Sequence, residues 1–140
     1  MAMVMEKQDL VWQFWRNKIS MSYLYILLTI LFTVYGQIVI KWQVQLAGAF
    51  PLDNIEKIQY IIKLLLNPWV ISSFICAFLA ALSWMAAMTK LPLSYAYPFM
   101  SLSFILVVLL SAVFFKESIT INKSLGLAFI VLGIIIGSKG

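Results

Sequence analysis

Apolar residues gather in four long runs, at about 21–44, 68–89, 94–115 and 120–138, with few or no charges inside them. A helix needs roughly 20 apolar residues to cross ~30 Å of hydrocarbon, so each run predicts a transmembrane helix. The first carries Tyr23 and Tyr25 at its start and Trp42 near its end, which suits the two interfacial belts of a bilayer. The second opens at Asn67 and Pro68, and proline in a first helical turn forfeits no hydrogen bond. The third runs from Ser94 to Phe115 without a charge. The fourth is the shortest between charges, which places Lys123 in its first turn, snorkelling outward.

Between the first two runs, Ile55, Ile58, Ile62 and Leu65 recur at spacings of three or four and predict a short helix, about 55–66, lying along the membrane surface. Residues 1–20 mix Glu6, Lys7, Asp9, Arg16 and Lys18 with Leu10, Val11, Trp12, Phe14 and Trp15. That pattern fits either an interfacial amphipathic helix or a partly disordered tail. The first run exceeds the 7–15 residues of a signal-peptide core and leads into Lys41, so it is kept as a helix. The expected organisation is an N-terminal segment, 1–20, and a four-helix transmembrane domain, 21–140, of an all-α integral membrane protein.

Composition sharpens this. Of 140 residues, 64% are hydrophobic and 11% charged, against about half and a quarter in a soluble domain. There is no room for a soluble domain. The net charge of +5 is spread over tails and loops rather than gathered in a basic stripe, which disfavours nucleic acid as a partner. With one cysteine and no histidine, an intrachain disulfide is excluded and metal sites lose their usual ligands; no metal and no cofactor are expected. Cys76 reads as a small buried apolar side chain. No base, orienting acid and nucleophile share a recognisable spacing, which predicts a carrier rather than an enzyme.

Orientation stays open. With the termini on one side, that side carries Lys7, Arg16, Lys18, Lys90 and Lys139, and the other Lys57, Lys63, Lys116 and Lys123, with Lys41 if it reaches water. Such balance gives the positive-inside rule almost nothing to act on. It permits insertion both ways and an antiparallel homodimer, or it means only that a few charges count for little.

On the first helix Thr29, Thr33, Gln37, Lys41 and Gln45 recur every four residues, along one slowly rotating stripe that makes a polar track on a greasy cylinder. A lysine deep in a bilayer costs about 2.5–3.5 kcal/mol on insertion scales and so faces a partner or a wet cavity; near a helix end it can instead snorkel. In the third helix Ser94, Tyr97 and Ser101 share a face, and Pro98 frees the carbonyl of Ser94. Freed backbone is tolerated in a membrane where protein or a water-lined cavity satisfies it, so this helix is expected to line the same cavity; a kink made for helix packing is the alternative. Glu117, the only acid beyond residue 56, precedes the fourth helix, where it can meet the helix dipole or gate through an ion pair with a lysine. Gly126, Gly133 and Gly137 predict a close helix contact, read as a dimer seam.

Gly36 and Gln37 followed by Lys41, the string LPLSYAYPFMSLSF from Leu91 to Phe104, Lys116 with Glu117, and GLAFIVLG from Gly126 to Gly133 together resemble a known family. It is the drug/metabolite transporter superfamily, in its four-helix, small-multidrug-resistance-like form, and within it the aminoarabinose-phosphoundecaprenol flippase subunits. The resemblance covers about 21–138. It implies an antiparallel dimer in a bacterial inner membrane, with itself or with a related four-helix subunit, and a lipid-linked sugar as substrate. Drug exporters of this form carry a glutamate where this chain has Thr33, so proton-coupled export of organic cations is disfavoured. An inward Lys41 suits one phosphate charge, with Gln37, Thr33, Ser94, Tyr97 and Ser101 available to phosphate oxygens and sugar hydroxyls. A multidrug exporter and a non-transporting scaffold for a glycosyltransferase are the competing expectations.

Overall fold

A computed structural model describes residues 2–137, and within the first twenty the side chains of Met5, Gln8, Leu10 and Gln13 alone. Its elements are α1 (Ala2–Ala47), α2 (Asn54–Leu65), α3 (Pro68–Met88), α4 (Leu93–Met100), α5 (Leu102–Phe115) and α6 (Ile121–Gly137). Three segments are long and apolar enough to cross a membrane: Met21–Ala47, Pro68–Met88 and Leu93–Phe115, the last made of α4 and α5 together. The fourth apolar helix, α6, has 17 residues and is about 26 Å long, just under the usual hydrocarbon thickness. The protein is an all-helical membrane protein.

The apolar span of the first helix, Met21–Ala47, begins where the expected 21–44 does, but the helix itself reaches further upstream. It is a single 46-residue helix, with no break at residue 20. Neither proline nor glycine occurs before Gly36, so nothing in the backbone stops the helix from continuing upstream of the apolar run. It ends at Gly48, whose φ of +84° takes the left-handed turn that terminates helices. Whether residues 1–20 are amphipathic lies outside the described side chains.

Asp53 caps α2 by accepting from the backbone of Ile55 at 3.0 Å. Ile55, Ile58, Ile62 and Leu65 are all exposed, an apolar face left uncovered by the described residues. Tyr60 holds α2 to the end of α1: its hydroxyl donates to the Gly48 carbonyl at 3.2 Å, and its ring meets Phe50 edge-on at 5.4 Å. Asn67 then caps α3, accepting from the Trp69 amide at 2.9 Å ahead of Pro68.

α1 and α3 run antiparallel along a seam of small and polar residues. On α1 the buried positions Ser22, Thr29, Gly36 and Gln43 repeat every seven residues; on α3 Ser73, Ala80 and Ala87 do the same. Thr29 donates to the Ala80 carbonyl at 3.4 Å and to its own Tyr25 carbonyl at 2.8 Å. A methyl group on Gly36 would lie 3.4 Å from the Ser73 carbonyl, so the backbones approach closely enough to leave room for only a small residue. Beyond it, Asn67 donates to Gln43 Oε1 at 3.0 Å and Trp42 packs edge-on to Trp69 at 5.5 Å. In a bilayer the hydrophobic effect gives helices no reason to associate, and close small-residue packing with interhelical hydrogen bonds supplies it.

The core lies beside this seam, where Ile26, Ile30 and Val34 meet Ala87 of α3 and Ala96 of α4. At that end Tyr23 and Tyr95 share a hydrogen bond of 2.8 Å, and Phe99 packs on both rings. The third span is broken at Ser101 into α4 and α5. Pro98 withholds an amide there, and Ser101 and Ser103 turn their hydroxyls to the carbonyls of Pro98 and Met100 three residues back. α6, like α2, buries none of its residues.

Candidate functional site

α5 ends in a turn that aims an acid at α1. Its last turn would conventionally be closed by glycine in the left-handed region, but Lys116 stands there at φ 52°, ψ 34°. The Ser111 carbonyl accepts from the amides of Lys116 and, at 3.5 Å, of Glu117. Out of that turn the Glu117 carboxylate meets the Lys41 ammonium in an ion pair, and Lys41 Nζ lies 5.2 Å from the centre of the Phe115 ring. Both charged side chains remain more than a third exposed, at 39% and 36%.

Beside the pair lies a groove of about 510 Å³ lined by Ile38, Val39, Trp42, Gln45, Phe114, Phe115 and Lys116. Its walls are mostly aromatic and aliphatic, with a lysine within them and a lysine–glutamate pair at the edge. Such a surface can hold an anionic head at the cations while leaving an alkyl tail against apolar walls.

A second cavity, of about 330 Å³, opens between α1, α3 and α4 and is lined by Thr29, Thr33, Ala77, Ala80, Ala81, Trp84, Tyr97 and Met100. Trp84 and Tyr97 meet edge to face at 5.6 Å. No charged residue lines it. Thr33 and Lys41 are eight residues apart on one helix, about 12 Å along its axis, so the two cavities sit at different depths.

The polar track of the first helix is therefore not one surface. Each four-residue step turns by about 40°, so Thr29 and Lys41 point about 120° apart. Thr29 is buried in the α3 seam, Thr33 lines the uncharged cavity, Gln37 is exposed, and Lys41 reaches Glu117. Tyr97 joins Thr33, whereas Ser94 is exposed in the first turn of α4 and lines neither cavity. Ser101 spends its hydroxyl proton on the Pro98 carbonyl. The α6 start is capped by Thr120, whose Oγ1 accepts from the Lys123 amide at 3.3 Å, while Glu117 turns to Lys41. Of the three glycines, Gly137 packs within the chain, 3.6 Å separating a built methyl from Pro98 Cγ; Gly126 and Gly133 face open space.

Three features escape a reading by four-residue steps. The seam shows as a seven-residue spacing of small and polar residues, visible in the sequence once that period is sought. Trp84 of the uncharged cavity carried no pattern that sets it apart from an interfacial tryptophan. Lys116 is invisible as a turn residue because its position ordinarily calls for glycine.

Comparison with known proteins adds the lineage. The profile of the EamA-like transporter family matches residues 14–138. The chain is 34% identical over 118 residues to the probable 4-amino-4-deoxy-L-arabinose-phosphoundecaprenol flippase subunit ArnE of Aeromonas salmonicida, covering 81% of this chain and 93% of that one. It is 34% identical over 121 residues to the probable flippase subunit ArnF of Aeromonas hydrophila, covering 84% and 80%. To the ArnE subunit of Yersinia pseudotuberculosis it is 32% identical over 117 residues, covering 84% and 96%. No solved structure matches. With the family profile spanning nearly all of it and relatives of this identity matched over most of their length, the chain belongs to the EamA-like transporter family.

Proposed function

We propose that this chain is a subunit of a flippase that moves a polyprenyl-phosphate-linked monosaccharide, an amino sugar such as aminoarabinose, across a bacterial inner membrane. The observation that carries this reading is the groove beside Lys41: cations at its edge and in its wall, apolar surface around them, and a size suited to a head group rather than a whole lipid. One phosphodiester charge is matched by Lys41, and Gln45 offers an amide nearby. The uncharged cavity with Thr33, Trp84 and Tyr97 then serves the sugar as the head passes deeper into the bilayer, its hydroxyls meeting Thr33 and Tyr97 and its ring face the indole. The names of the relatives, flippase subunits for a lipid-linked amino sugar, support the same substrate class.

In this reading α6 is the fourth span, the transport unit runs from residue 21 to the end, and the helix before residue 21 lies outside it. The working form is an antiparallel pair, either two copies or one copy with a related four-helix subunit. Gly126 and Gly133, which meet nothing among the described residues of their own chain, form the seam between subunits.

Reconstitution into proteoliposomes with a polyprenyl-phosphate sugar tests it. Lys41→Gln abolishes translocation while the protein still inserts and pairs, and Lys41→Arg keeps part of it. A normal flipping rate in Lys41→Gln removes Lys41 from the phosphate site.

A further inference from the structure

Two cations serve the groove: Lys116 lines it, and Lys41 stands beside it with its Nζ 5.2 Å from the centre of the lining Phe115 ring, held by one anion, Glu117. Lys123 is engaged elsewhere, donating to the Ser118 carbonyl at 3.4 Å. One positive charge is thus left over beside apolar walls. Glu117 belongs to the short connection between α5 and α6, so its carboxylate can leave Lys41 without unwinding either helix. Among the described residues, Lys41 is the partner to which its side chain is bound.

Resting on the flippase reading, we propose that Glu117 is a resident surrogate for the substrate's phosphate. It holds Lys41 when the groove is empty, yields it to a singly charged phosphodiester, and excludes head groups bearing two or more phosphate charges.

Charge balance is the reason. Once a phosphodiester has entered, two cations face two anions and Lys116 keeps the displaced carboxylate from being left unpaired. A diphosphate leaves a surplus negative charge against Phe114, Phe115 and Ile38, where an unpaired charge is most unfavourable. Glu117 therefore determines specificity without touching the sugar, and a neutral residue of the same shape relaxes the exclusion.

The test is native mass spectrometry of the full-length protein in detergent, titrated with polyprenyl phosphoglucose, a phosphodiester, and with a polyprenyl diphosphate. The wild type favours the phosphodiester by about tenfold, a difference of about 1.4 kcal/mol. Glu117→Asp keeps that preference, Glu117→Gln brings the two lipids to near parity or inverts them, and Lys41→Gln weakens both. If Glu117→Gln binds both lipids at the wild-type ratio, the surrogate role is overturned and the flippase reading stands. Should the wild type bind neither lipid, or bind them regardless of Lys41, the flippase reading falls and this inference with it.

Discussion

Lys41 and Glu117, 76 residues apart in the chain, form an ion pair that joins the end of α5 to the first span. Both partners are more than a third exposed, so the pair is a modest contributor to stability: a double-mutant cycle with Lys41→Gln and Glu117→Gln is expected to give a coupling of about 1 kcal/mol or less. The charge-swapped protein, Lys41→Glu with Glu117→Lys, regains the pair and its stability but not translocation, because the cation then sits on the other element. Flipping by the swapped protein at the wild-type rate contradicts a positional role for Lys41.

Gly36 stands where α1 and α3 approach closely. A methyl at this position meets the Ser73 carbonyl at an ordinary 3.4 Å, so Gly36→Ala is tolerated and gains up to about 1 kcal/mol in helix propensity. Gly36→Leu forces the backbones apart and costs about 1–3 kcal/mol. Unfolding titrations in mixed micelles distinguish the two, and equal stability for both variants means the seam is looser than described.

Asn67 serves two groups at once, capping α3 through Oδ1 and donating to the buried Gln43 through Nδ2. Asn67→Ala loses the cap, about 1 kcal/mol, and leaves Gln43 without its donor, for a total of about 2–3 kcal/mol. Asn67→Asp keeps the cap, and the Gln43 amide can turn to donate instead, so its loss is expected to be about half as large. Thermal unfolding of the two variants side by side provides the comparison.

Lys116 is the one non-glycine residue with positive φ among those described. Lys116→Gly removes a left-handed strain of about 1 kcal/mol and adds some freedom to the unfolded chain, so the melting temperature stays level or rises slightly. Translocation falls nonetheless, since a cation of the groove wall is gone. A variant that loses stability in step with activity points to a purely structural lysine.

Some of this architecture is legible in one dimension. The apolar runs mark the helices because lipid demands length and hydrophobicity of every spanning segment, and Asn67 with Pro68 announces the start of α3 through capping chemistry alone. The start of α1 is not legible: a helix leaving the apolar run needs only the absence of a breaker, which leaves no mark. The polar track misleads for a geometric reason, since four-residue steps drift around the cylinder and carry Thr29 and Lys41 to different neighbours. Seven-residue steps drift far less, which is why Ser22, Thr29, Gly36 and Gln43 stay on one side. The meeting of Lys41 with Glu117 depends on the turn at Lys116, and no local pattern encodes it.

The seven-residue seam also has a mechanical meaning. Fastened at several levels from Thr29 to Gln43, α1 and α3 form a single spar, while α6, with nothing buried, rests on α4 where Gly137 meets Pro98. Lys41 and Glu117 tie that spar to the connection between α5 and α6. Because the pair lies outside the small-residue seam, parting it leaves the hydrogen bonds that fasten α1 to α3 untouched.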